Sequence, residues 1–293
     1  MLLQQRDLYR GRIAPTPSGY LHLGHARTFW IAQKRARKSQ GSLVFRNEDI
    51  DHARCKPKYA DAMMEDLRWF GIEWDEGPDI GGAHIPYIQS QRIPLYLKVW
   101  EKLYNLGVIY PSPHSRKDVL NALSAPHIGD TEPIYPSHLR PTKISVKSIS
   151  GPGKTNWRFQ VPDGKSVNFI DCRMGEVKLI AGKDFGDFIV WRKDGFPSYE
   201  MAVVVDDQSM HITEVVRGED LLTSTARQLL LYDALNWLPP AYYHCPLFCD
   251  DNGERLAKRN DSLSLRKLRG KGVTPESLRK SRNFIGSNVC SID

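Results

Sequence analysis

Hydrophobic and polar positions in the first seventy residues alternate between a pattern typical of strands and one typical of helices. A short β-like run at residues 12–14 precedes a helical pattern over residues 21–38. The run SLVFRNEDID (42–51) is again rich in β-forming residues, and the next helix is predicted to open at Pro57 with an apolar stripe for the core. This order predicts an α/β fold with a doubly wound parallel sheet of the Rossmann type.

The pattern changes after residue 75 and returns near residue 190. Between these points one helix is predicted over 93–106, followed by short β-like runs such as TNWRFQV, SVNFID and GEVKLI. We therefore predict four segments: 1–75 as the first half of the Rossmann domain, 76–189 as an inserted α+β domain, 190–248 as the second half, and 249–293 as a loop with a short basic helical tail.

The stretch RIAPTPSGYLHLGHAR (12–27) predicts a corner between a strand and a helix, because prolines and Ser-Gly interrupt the pattern. The amino end of a helix at such a corner attracts anions through its unpaired N–H groups. His22 and His25 lie three residues apart, so both can donate to a phosphate from one face, and Gly24 leaves room for a flat ring. The alternative is a helix cap and a surface histidine; the strand and turn favour a nucleotide site.

Net charge and cysteine content indicate which partners and which cell compartment to expect. The formal charge of +7 and the pI near 9.1 suit a polyanion such as RNA, but they also fit an ordinary basic protein. Residues 254–282 hold ten basic and three acidic side chains, which makes this tail the basic face. The five cysteines lack the spacing of a disulfide framework, and no segment reads as a signal peptide or a membrane span. We expect a cytoplasmic monomer.

RIAPTPSGYLHLGHA is similar to the first signature of the class I aminoacyl-tRNA synthetases of the glutamyl/glutaminyl group, usually written HIGH. RLAKR (255–259) occupies the place of the second signature, usually written KMSKS, although its spelling differs. The resemblance implies that His22, Gly24, His25 and Lys258 bind ATP with its Mg²⁺, and that the two histidines and Lys258 carry catalysis. Taken alone, Lys258 would be a solvated charge in a basic run.

The same resemblance implies a glutamate site formed by Arg12, Thr16, Glu48, Tyr199 and Arg217. In the family, the acid that matches Glu48 holds the substrate's amino group, and the tyrosine that matches Tyr199 contacts the bound glutamate. Relatives commonly carry serine where this chain has Thr16. Arg12 and Arg217 stand on predicted strands, and two guanidinium groups at one cleft suit a carboxylate. Without the resemblance, Glu48 could be a solvated acid and Tyr199 a core or rim aromatic residue.

Short relatives of the glutamyl-queuosine type bind zinc in the insert through Cys-x-Cys followed by a tyrosine and a further cysteine. The matching positions here are Ser112, His114, Tyr135 and Leu139. We expect no zinc, because serine and leucine are poor ligands and the other two residues cannot complete a four-coordinate site. His127 and His138 are available, but no spacing supports them.

The expected substrates follow from the resemblance and the length. Only 35 residues follow Lys258, too few for an anticodon-binding domain, so the chain resembles the short family members that transfer glutamate to queuosine at the wobble position of tRNA(Asp). The implied partners are L-glutamate, ATP and queuosine-containing tRNA(Asp). Three alternatives are a glutamyl-tRNA synthetase acting on a tRNA 3′ end, a small-molecule adenylyltransferase and a non-catalytic RNA-binding paralogue.

Overall fold

The computed structural model describes residues 8–114, 118–119, 134–142, 151–247, 264–281 and 284. The chain forms two compact units. The first unit comprises residues 1–91, 211–220 and 242–293, and the second comprises residues 92–210 and 221–241. The four-part division of the sequence follows changes of pattern rather than compactness, and it stays a prediction.

The described helices and strands follow the predicted order. In chain order they are β1 (Arg10–Ile13), α1 (Leu23–Lys38), β2 (Ser42–Phe45), α2 (Pro57–Phe70), α3 (Ile93–Asn105), β3 (Ile109–Ser112), β4 (Asn156–Phe159), β5 (Ser166–Asp171), β6 (Gly175–Ile180), β7 (Phe188–Trp191), α4 (Tyr199–Ser209), β8 (Glu214–Gly218), α5 (Leu222–Leu235), β9 (Ala241–Cys245), α6 (Leu265–Gly270) and α7 (Pro275–Lys280).

The first unit is built on parallel strands. β1 pairs in parallel with β2 on one side and with β8 on the other, and β9 lies beyond β8. Ile13 stands opposite Phe45, and both are fully buried. The strand, helix, strand, helix order and the parallel pairing confirm the predicted α/β fold. The carboxyl ends of β2, β1 and β8 consequently share one edge, the usual place for a ligand in such a sheet.

Helices α1 and α2 pack their apolar residues into the core of the first unit. Met63 and Leu67, which the helical spacing of α2 assigns to the core, are buried there. α1 begins at Leu23, two residues later than predicted, and His22 is its N-cap in an extended conformation. The cause is a contact from far along the chain: His22 forms a β-bridge with Ser264, and the Leu265 N–H donates to the Leu21 carbonyl.

The basic tail is partly used within the fold. Arg266 forms ion pairs with Glu65 and Asp66 on α2. Arg279 donates to the Phe70 carbonyl and lies over the ring of Trp30, with its guanidinium carbon 4.7 Å from the ring centre. These contacts fix α6 and α7 against α1 and α2. Arg266 and Arg279 therefore use their positive charge in contacts within the first unit.

The described strands of the second unit pair in the antiparallel direction. β4 lies between β3 and β7, and β5 and β6 form a hairpin. The β-like runs that the sequence predicts in the insert correspond to β4, β5 and β6. A buried carboxylate joins helices α3 and α4. Asp206 on α4 accepts hydrogen bonds from Tyr96 on α3 and from Arg92, the residue just before α3.

An ion pair and a tyrosine in the first unit make its stability depend on pH. Glu76 accepts two hydrogen bonds from Arg10 and one from the Tyr87 hydroxyl. The Arg10 hydrogen bond holds the pKa of Glu76 below its usual value of 4.5. Burial, with the hydrogen bond to Glu76, raises the pKa of Tyr87 from 10.0 to about 12. A lowered carboxyl pKa stabilises the fold above pH 4.5, and a raised phenol pKa stabilises it below pH 10.

We therefore expect Tyr87→Phe to reduce the loss of stability between pH 10 and about pH 12, and Glu76→Gln to reduce the loss as pH falls below 4.5. The measurement is the free energy of unfolding in urea as a function of pH. Subtracting the wild-type curve from each variant curve removes the groups that titrate in both proteins. Difference curves that stay flat in both windows would contradict this assignment.

Candidate functional site

Two buried arginines lie near the carboxyl ends of neighbouring strands in the first unit, Arg12 on β1 and Arg217 on β8. Arg12 and Arg217 lie on adjacent strands, and each is 4% exposed. Arg12 Nη1 donates to the Val216 carbonyl over 2.9 Å, one residue before Arg217. Arg217 itself lies against β9, near Tyr242 and His244. The structure thus places the Arg12 guanidinium beside the strand that carries Arg217.

Glu48 lies at the same edge, three residues beyond the end of β2. It is 6% exposed, so the alternative of a solvated acid is wrong. Its carboxylate accepts hydrogen bonds from Arg46 at 2.9 and 3.2 Å, and Arg46 is fully buried. The Glu48 N–H donates to the Pro15 carbonyl over 3.1 Å, which brings the loop containing Thr16 against the acid. Arg46 was not among the predicted site residues, and its spacing from Glu48, Arg-x-Glu, is the only signal of the pair in the sequence.

The two histidines stand at the amino end of α1. The His22 N–H donates to His25 Nδ1 over 3.3 Å, and the ring centres lie 6.0 Å apart. Because Nδ1 of His25 accepts this bond, its neutral ring carries the proton on Nε2 and can donate from that side. The cap-and-surface alternative describes these positions too, since His22 is the N-cap and His25 is exposed.

One atom favours the nucleotide interpretation of the histidine pair. His22 Nδ1 is buried and has no hydrogen bond of full geometry among the residues that the structure describes, although the His22 side chain and the His25 N–H form a capping box. Buried polar atoms are nearly always paired, so an atom held this loosely at a helix amino end fits a group that a ligand completes. The residues present therefore fit an ATP phosphate or base.

The two remaining predicted site residues are Tyr199 and Lys258. Tyr199 is the first residue of α4 in the second unit, where Ser198 caps the helix by accepting from the Met201 N–H over 3.4 Å. The contact of Tyr199 with glutamate stays a prediction. Lys258 and the rest of RLAKR lie outside the described residues. So does His127.

The four positions that match the relatives' zinc ligands meet at the Tyr135 hydroxyl. It lies 2.9 Å from His114 Nδ1 and 3.3 Å from the Ser112 hydroxyl, and it donates to the Leu139 carbonyl over 3.2 Å. One donated and two accepted bonds are the full capacity of a hydroxyl. Arg158 donates to Ser112 and lies 4.2 Å from the centre of the Tyr135 ring. This cluster does not fit zinc, because the oxygen that would face a metal is already saturated.

We expect Tyr135→Phe to lower the free energy of unfolding by about 1–3 kcal/mol, because it leaves buried partners of the hydroxyl unsatisfied. Tyr20→Phe is the matched control, since Tyr20 is 41% exposed and its loss should stay within about 0.5 kcal/mol. Urea denaturation of both variants checks this. Zinc or EDTA should leave the wild-type midpoint unchanged, and stoichiometric zinc in the purified protein would contradict the account.

Neither a metal cluster nor a membrane span is found in the described part of the chain. No group of three or more histidine, cysteine or acidic side chains is placed to hold a metal there. Its helices are too short or too polar to cross a bilayer. Cys245 is a buried free thiol, and Cys249 lies outside the described residues.

Comparison with known proteins gives a consistent set of relatives. The model of the family described as tRNA synthetases class I (E and Q), catalytic domain, matches residues 9–291. The Glutamyl-Q tRNA(Asp) synthetase of Nitratidesulfovibrio vulgaris is 45% identical over 270 residues, which cover 91% of this chain and 82% of that protein. The protein of the same name from Symbiobacterium thermophilum is 45% identical over 271 residues, covering 92% and 83%.

A solved structure agrees with these relatives. The glutamate tRNA ligase of Elizabethkingia meningosepticum, in complex with its amino acid, is 28% identical with a TM-score of 0.72. The match covers 86% of this chain and 52% of that protein, so the chain spans about half the length of the ligase.

Proposed function

Because the chain belongs to the catalytic-domain family of class I tRNA synthetases (E and Q), we propose that it activates L-glutamate with ATP and transfers it to queuosine in tRNA(Asp). The observation that carries the first step is the set of buried charges at one sheet edge: Arg12, Arg217 and Glu48. The second step is supported by the short relatives named for it, which this chain matches over four fifths of their length.

The charges of this edge are complementary to glutamate. The substrate has an ammonium group, an α-carboxylate and a side-chain carboxylate. We assign the ammonium group to Glu48 and the side-chain carboxylate to the two arginines, whose planar groups bind carboxylates through paired N–H bonds. Thr16 lies next to Glu48 through the Pro15 carbonyl and belongs to the same pocket wall. Tyr199 completes the proposed set.

The α-carboxylate attacks the α-phosphorus of ATP, glutamyl-adenylate forms, and pyrophosphate leaves. A carboxylate is ionised at neutral pH, so the step needs no general base. Catalysis then consists of holding the two reactants in line and stabilising negative charge on the phosphoryl oxygens. His22, His25, the first N–H groups of α1 and Lys258 supply this stabilisation, and ATP enters with its own Mg²⁺.

Transfer to tRNA is the second half of the proposed reaction. A hydroxyl of the cyclopentene-diol of queuosine attacks the glutamyl carbonyl, an ester forms, and AMP leaves. The basic side chains of the tail other than Arg266 and Arg279 supply positive charge for tRNA phosphates. Affinity for tRNA should therefore fall with rising salt. The expected monomeric state and cytoplasmic location belong to this proposal.

The first step is tested by ATP–pyrophosphate exchange. We expect exchange that requires glutamate and that neither glutamine nor aspartate supports at the same concentration. Glutamine replaces the side-chain carboxylate with a neutral amide, which loses the charge-assisted hydrogen bonds to the two arginines. Preference for glutamine, or failure to exchange with any amino acid, would contradict the proposal. The similar glutamate tRNA ligase supports a second candidate, in which the adenylate is transferred to a tRNA 3′ end.

A further inference from the structure

We propose that His244, together with Tyr242, is a positioning residue that aims Arg217 at the substrate carboxylate. This inference rests on the proposed function, because it assigns Arg217 to glutamate. Arg217 Nε donates to His244 Nε2 over 3.4 Å, and the guanidinium carbon lies 5.4 Å from the centre of the Tyr242 ring. All three side chains belong to the first unit, and none is more than 4% exposed.

The two rings form one platform because of their place in β9. Residues two apart in a strand point to the same side of the sheet, so Tyr242 and His244 present their rings together. The rings are nearly parallel, with an interplanar angle of 11° and centres 6.0 Å apart. β8 lies next to β9 in the sheet, and Arg217 reaches from it across this platform. A guanidinium group stacks favourably on aromatic faces.

The hydrogen bond determines which part of Arg217 is presented to a ligand. His244 accepts through Nε2, so its ring is neutral and its proton is on Nδ1. The bond engages Nε of the guanidinium, and in the proposed complex the two terminal nitrogens form the parallel pair of bonds to the substrate carboxylate. Arginine has several rotatable bonds, and fixing one edge of its planar group lowers the entropy lost when glutamate binds.

Two variants that differ by one methylene separate positioning from packing. Glutamine places its amide oxygen about where the Nε2 atom of histidine lies, whereas the shorter asparagine does not reach that position. We expect His244→Asn and His244→Leu to raise the KM for glutamate about tenfold, since a hydrogen bond to a charged group is lost. His244→Gln should stay within about threefold of wild type, and all three should keep kcat and the KM for ATP nearly unchanged.

KM does not depend on the folded fraction, so partial misfolding of a variant cannot imitate this result. A second test uses Arg217→Lys, which cannot make the Nε bond. If His244 acts through Arg217, adding His244→Leu to Arg217→Lys should raise the KM for glutamate no further. An unchanged KM in His244→Leu, equal values for Gln and Asn, or an additive effect in the double variant overturns the inference. Wild-type protein without glutamate-dependent exchange overturns the proposed function instead.

Discussion

Replacement of His25 or Lys258 by alanine is expected to reduce glutamyl-adenylate formation by about 10²–10³-fold, with little change in protein stability. In the proposed mechanism each side chain donates to oxygens whose negative charge grows in the transition state, and removing one such donor typically costs this much. His25 is exposed at the amino end of α1 with Nδ1 held by the His22 N–H, so its loss removes a donor without emptying the core. The measurement is ATP–pyrophosphate exchange at saturating glutamate and ATP.

The controls are surface residues of the same types. His138→Ala removes an exposed histidine of the second unit, and Lys280→Ala removes a lysine that is 76% exposed and paired with Glu276. Both should exchange pyrophosphate at the wild-type rate. Wild-type exchange in His25→Ala and Lys258→Ala would show that the catalytic assignment is wrong.

Arg217→Ala is expected to lower kcat/KM for glutamate by about 10²–10³-fold, with most of the effect in KM. The variant removes one buried charge from the proposed carboxylate site and leaves the ligand's side chain without its charge-assisted bonds. The KM for ATP should change little. Because a neutral amide depends less on this arginine, the preference for glutamate over glutamine should fall in the same experiment.

Arg192→Ala provides the comparison, since Arg192 is paired with Asp194 on the surface of the second unit. It should leave both KM values unchanged. If Arg217→Ala kept the wild-type KM for glutamate, or if its KM for ATP rose by the same factor, Arg217 would not be the carboxylate ligand.

Local patterns in the sequence predicted most of the elements. The Pro57 start of α2 was predicted correctly, because proline at a first helical turn acts locally. The start of α1 was misplaced by two residues, since the β-bridge between His22 and Ser264 joins segments more than two hundred residues apart. A periodicity argument cannot include such a contact.

In the candidate site too, local motifs were predictable from the sequence and contacts between distant segments were not. The motifs singled out Arg12, Glu48 and Arg217 as candidates, and the structure adds their burial and their neighbours. The sequence did not indicate that Arg46 pairs with Glu48 or that His244 contacts Arg217, because both contacts depend on how the strands are aligned in the folded protein. In the second unit, sequence predicted that a zinc site had lost its thiolates, and only coordinates identify the Tyr135 hydroxyl as the centre that joins those positions.

The central claim is most directly tested by incubating the protein with ATP, labelled glutamate and tRNA(Asp) that either contains or lacks queuosine. We predict label on the queuosine-containing tRNA alone, located at the anticodon after nuclease digestion. Label on the 3′ end of any tRNA, or equal label on the two forms of tRNA(Asp), would contradict the account.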